Sequence, residues 1–181
     1  MGPEQGYNSA PISEERAEVR EIVEEQASID RLPEMLGYVE TVELGRLRGT
    51  IVEGLKGGVE VTEQLTRYHI LAEEVVDQCD GRDRASAQIG LIVQMGLIRR
   101  DGGLAEASYE DFKDAYAYAL NMGMAVAEEV LTEFLLDHAV ARLQSLGLDQ
   151  EDFVMAVYAE AADLGIPDPE GYLRAKGLLE G

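Results

Sequence analysis

Two histidines, one cysteine and an uneven scatter of arginines are the residues of this 181-residue chain whose types and spacing bear on chemistry. His69 and Glu73 stand four apart, the spacing that puts two side chains on one helical face where they could hold a metal ion together. His138 has Asp137 beside it and Glu133 five residues before it, a poor helical geometry for a shared ion. The Glu-x-x-His pairs of di-iron bundles are missing, because Leu135 stands three before His138 and Thr66 three before His69. The expectation is a surface pair at His69 and Glu73, a His138 at the edge of the core, and no metal or other cofactor. A helical metal-binding protein is the alternative that His69 and Glu73 would carry. Cys79 follows Leu65, Tyr68, Ala72 and Val75 at helical spacing and reads as a core thiol. There is no Gly-x-Ser-x-Gly, no Cys with a local histidine signature and no phosphate-cradling glycine loop ending in Lys and Ser or Thr. Carboxylate pairs such as Glu73-Glu74 and Glu128-Glu129 are too common in so acidic a chain to mark acid–base catalysis. With no catalytic residue to name, the expectation is a protein that is not an enzyme.

The arginines carry more information. Arg82, Arg84, Arg99 and Arg100 face a single acid, Asp83, inside a chain whose 36 acids against 15 bases give a net charge of −21. The order here is a helix over Thr62–Cys79, a turn, a helix over Arg84–Met95, and then Leu97-Ile98-Arg99-Arg100-Asp101-Gly102-Gly103. That last run reads as a strand entering a tight turn, which would make a small β-hairpin near 97–105. The layout resembles a winged helix-turn-helix over about 45 residues. The resemblance implies a DNA-binding regulator using the 82–103 region. The helix it would insert into the groove offers only Ala85, Ser86, Gln88 and Gln94 for base contact, with Ile89, Leu91, Ile92 and Val93 crowding the remainder. The other use of a basic loop on an acidic body is contact between copies, head to tail, which closes into rings or extends as tubes. On that reading Arg82, Arg84, Arg99 and Arg100 are the interaction residues, with Arg99 and Arg100 set against acids of a neighbour.

Ser108–Leu146 is the longest proline-free stretch with a sustained helical period, and Ala115–Ala127 within it carries no charge. Phe112, Tyr116, Leu120, Met124, Ala127, Leu131, Phe134 and Leu135 recur three or four apart, so they are the expected core of a central helix over 108–146 that opens on a Ser108/Asp111 capping box. A helix apolar all round is buried all round, so 115–127 is expected to see no solvent. The predicted fold is all-α, a single-domain bundle of about five to seven helices around that buried element. An irregular arm (1–12) precedes the helical domain (13–165), whose first helix carries Val19, Ile22, Val23, Gln26 and Ile29 on one face. A tail with a short helix (166–181) follows, docked on the body or on another subunit. Between them, 37–58 reads as helix diluted by glycine, with a hairpin as the competing form.

Charge and length narrow the partners. A field this negative repels nucleic acid and anionic membrane, no apolar run reaches the roughly 20 residues of a membrane span, and the first residues lack a signal-peptide pattern. Three lysines against twelve arginines, with so many acids, suit a salt-loaded cytoplasm or a high-GC genome. The expected function is that of a non-enzymatic structural protein, working through protein–protein contact as a subunit of a homo-oligomer or larger particle of the virion-connector kind. Its expected place is the cytoplasm or such a particle, its expected partners copies of itself or other subunits.

Overall fold

A computed structural model of the chain describes residues 29–179. The expected arm over 1–12 and the helix expected over 13–29 lie outside them, Ile29 apart. A 3-10 turn at Ile29–Arg31 leads into eight α-helices: α1 (Leu32–Met35), α2 (Val42–Lys56), α3 (Thr62–Val76), α4 (Gly81–Asp101), α5 (Ala105–Met122), α6 (Ala125–Gln144), α7 (Gln150–Leu164) and α8 (Pro169–Ala175). No strand forms among the described residues, and the architecture is an all-α bundle.

Local chemistry fixes several boundaries. Pro33 sits in the first turn of α1, where its locked φ suits a helix start. The Thr41 hydroxyl accepts the Leu44 N–H at 3.2 Å and caps α2, so 42–56 is helix despite its glycines. Asp149 caps α7 in the same way, accepting from the Asp152 N–H at 2.9 Å.

The bundle is built around α4, not around 108–146. Between Arg84 and Arg99 every residue is uncharged, and α4 is buried on two opposite sides. Ile89, Val93 and Leu97 enter a core with Leu32, Phe112, Tyr116, Ala127, Leu131 and Leu135 from α1, α5 and α6. Ala87, Leu91, Met95 and Ile98 enter a second core with Tyr38, Leu44, Ile51, Tyr68, Ala72 and Val76 from the α2–α3 half. A helix with nothing to show water becomes the wall between two cores. Its approach to the chain around α1 is close: a Cβ on Gly90 would stand 2.7 Å from the Tyr38 Cβ and 3.0 Å from the Pro33 carbonyl oxygen. A third cluster, of Val140, Leu143, Phe153, Val157 and Leu173, seats the tail helix α8 on α6 and α7 of its own chain.

Four expectations are corrected here. Leu97 to Asp101 prolong α4 instead of forming a hairpin, because Leu97 and Ile98 are both buried in cores that only a continuous helix reaches. The 108–146 stretch is two helices, since Gly123 takes a left-handed conformation (φ 63°) that ends α5 and lets the chain reverse into α6. Ser108 is no cap: it lies inside α5, buried, and its hydroxyl donates to the Gly96 carbonyl of α4 at 2.7 Å. The burial expected all round 115–127 fails at the reversal, where Leu120 is 46 % exposed, Met122 48 % and Val126 47 %. Met124 is only partly buried there, packed against the rim of the first core. Phe134 also lies at that rim, edge-on to Phe112 with ring centroids 4.3 Å apart.

Candidate functional site

The arginines singled out from the sequence are mostly engaged within the chain. Arg99 of α4 binds Asp111 of α5, a carboxylate that burial pushes above its usual range while Arg99 pulls it back down. Arg100 binds Asp30 and reaches Asp101 at 3.2 Å. These two side chains therefore clamp α4 to α5 and to the first turn, in place of the neighbour's acids expected for them. Arg84 binds Asp77 across the α3–α4 turn, both side chains more than half exposed. Arg82 is exposed and makes no ion pair with a described residue. The four do not form one basic patch, and the wing that would accompany a recognition helix is absent from the described residues.

The two histidines lie apart. His69 Nε2 stands 3.1 Å from Glu73 Oε1 on the outer face of α3, with both side chains about half exposed. Among the described residues no three His, Cys, Asp or Glu side chains converge to hold an ion. Cys79 is half-buried against the second core. His138 lines a cleft of about 570 Å³ with Tyr109, Lys113, Arg142 and Glu160, between α5, α6 and α7. Its ring stacks on Tyr109 with centroids 4.3 Å apart, and Glu160 takes the Tyr109 hydroxyl at 3.4 Å and Arg142 at 2.7 Å. Burial, with the nearby Glu160, pushes the Tyr109 phenol up to about 12, so it stays protonated at neutral pH. Burial, then the Arg142 charge, holds the His138 imidazole below its usual range. Glu160 is held by Arg142 and Tyr109 and Glu110 by Lys113 at 2.9 Å, and no serine, threonine or cysteine lines the cleft. This arrangement locks three helices together; it does not present a nucleophile to a base.

A second network, missed in the sequence, ties α2, α3 and α4. The Tyr38 and Tyr68 hydroxyls are 2.7 Å apart and buried, and Tyr68 donates to Glu40 at 3.2 Å. Arg48 bridges Glu40 and Asp101, at 3.7 and 3.3 Å. Burial pushes Tyr38 up to about 12 and raises Tyr68 as well. These groups satisfy one another and offer nothing to a ligand.

Among the large apolar side chains exposed on the described surface, such as Val42, Leu146 and Met155, three lie at the α5–α6 corner. Leu120, Met122 and Val126 project around Gly123. Beside them a groove of about 420 Å³ is lined by Gly81, Arg84, Ala85, Gln88 and Ile92 of α4 and by Tyr118 and Met122 of α5. Ile92, Tyr118 and Met122 thus share this groove with Arg84, and Arg82 lies on the same end of α4. Comparison with protein-family models, with curated proteins and with solved structures gives no match.

Proposed function

We propose that the chain acts through protein–protein contact, as a subunit of a homo-oligomer or larger particle, and that the α5–α6 corner is its contact surface. The observation that carries this reading is the corner itself: Leu120, Met122 and Val126, each nearly half exposed, with Met122 also lining a groove edged by Arg84, on a chain of net charge −21. Exposed apolar patches rimmed by polar groups mark interaction sites. The arginine favours an acidic partner, and the rest of this chain is acidic. Copies carrying so much like charge repel each other until salt screens them, so self-association strengthens with ionic strength.

Light scattering from low to multimolar salt tests the reading. The expected result is a defined mass above that of one chain, appearing or growing as salt rises, and lost in Leu120→Glu with Met122→Glu. Both residues are already exposed, so the double variant keeps its fold, which circular dichroism checks. A folded monomer at every salt and protein concentration overturns the proposal.

A further inference from the structure

Resting on that assembly reading, we infer that α8 is an exchangeable strap, and that the α6–α7 surface beneath it is a docking site for α8 of a second copy. Leu173, 0 % exposed, packs there with Val140, Leu143, Phe153 and Val157 in a cluster apart from the two cores. Beside it Lys176 reaches Glu133 at 2.9 Å and Asp137 at 3.1 Å, and Asp137 also accepts from the Tyr172 hydroxyl. Gln150 of α7 donates to the Leu178 carbonyl at 2.8 Å. The surface therefore fits an apolar segment with a cation three residues past its anchoring leucine. Lysine occurs only three times in the chain, and the stretch from Leu173 to Lys176 supplies that chemistry in every copy.

The attachment of α8 to its own body is slight. Firm anchorage ends at Ile166, which is buried in the first core. Pro167 and Asp168 are exposed and lead directly into Pro169. A residue before proline is held extended, so this Ile-Pro-Asp-Pro link is stiffened twice and projects α8 away from α7. Seven residues are too few for a helix that is stable alone. The polar ties from Lys176 and Tyr172 are exposed, and exposed ties hold weakly. The strap therefore detaches at lower cost than the bundle opens. Exchange between two copies restores each of these contacts, because the same residues meet the same surface. What is left to meet is the entropy of association, which the α5–α6 corner contact offsets.

Charge reversal across this contact tests the exchange in the full chain. Lys176→Glu sets a tail against its own Glu133 and Asp137, and Glu133→Lys with Asp137→Lys sets a surface against its own Lys176. All three side chains are exposed, so each variant keeps its fold, which circular dichroism checks. The two variants, with tags of different mass, are mixed, and native mass spectrometry counts the pairs. In a reciprocal exchange both tails meet opposite charge only in the mixed dimer. Mixed dimers are expected to outnumber either like pair about tenfold, against about twofold for random pairing. The triple variant mixed with wild type should show the reverse, like pairs in excess. Random pairing, in a wild type that still scatters as an oligomer, overturns the inference and leaves the assembly reading standing. A wild type that is monomeric at every salt removes both.

Discussion

His138 shows how one residue's surroundings translate into a measurable response. It lies face to face with Tyr109, flanked by Arg142 and by Glu160 across from α7. Burial first, and the Arg142 cation second, hold the imidazole below its usual range. The folded state therefore takes up a proton less readily than the unfolded chain, whose histidines titrate near 6.5. Stability from this group is present above that value and is lost as pH falls through it. His138→Gln keeps a flat polar side chain that does not titrate. Urea unfolding at about pH 7.5 and about pH 5.5 should show the wild type losing more stability between the two than the variant does. Equal losses would remove His138 as the source. The Arg99–Asp111 pair likewise changes what an arginine substitution tests. Arg99→Glu would set an acid against half-buried Asp111, so it probes the α4–α5 clamp and not a neighbouring subunit.

At the scale of elements, the α4–α1 approach is the contact least able to give. A methyl on Gly90 meets the Tyr38 Cβ and the Pro33 backbone, neither of which is the free end of a flexible side chain. Alanine in a helix interior gains about 1 kcal/mol of propensity over glycine, and overpacking of this kind costs about 1–3 kcal/mol. Gly90→Ala should therefore be net destabilising by chemical denaturation, and a gain in stability would mean that α1 moves aside freely. Element content was largely legible in the sequence: the Asp149 cap, Pro33 and the apolar periods of α2, α3 and α7 all correspond to helices. The centre was misplaced because charge-free runs occur twice. The Ala85–Ile98 run is the longer of the two, yet Gly96 and the Asp101-Gly102-Gly103 turn signal suggested that it ended early. Glycines tolerated inside a helix, at Gly90 and Gly96, look the same in sequence as the one at Gly123 that breaks it. Only the packing of Leu97 and Ile98 into two cores decides that α4 continues. The α5–α6 corner was hidden for the same reason, since Leu120 and Met122 have the composition of core and are exposed only because the chain reverses at Gly123. The partners of Arg99 and Arg100 were beyond reach, because Asp111 and Asp30 come near them only once the helices are docked.

For the whole molecule, the net charge of −21 acts on the fold as well as on association. Raising salt from about 10 mM to about 150 mM shortens the screening length from about 30 Å to about 8 Å, which removes repulsion between distant acids while leaving the partly buried Arg99–Asp111 pair largely intact. The urea midpoint should rise over that interval, and a fall would mean that the ion pairs outweigh the repulsion. Placing α4 between two cores has a further consequence for how the chain is born. On the ribosome α1, α2 and α3 emerge before it, so the core of Tyr38, Leu44, Ile51 and Tyr68 can close only when α4 arrives to complete it. At that moment the other side of α4, with Ile89, Val93 and Leu97, is bare and stays so until α5 and α6 follow. A nascent half-molecule is thus complete on one side and adhesive on the other, and a stalled or truncated product ending before Ala105 would be a substrate for chaperones.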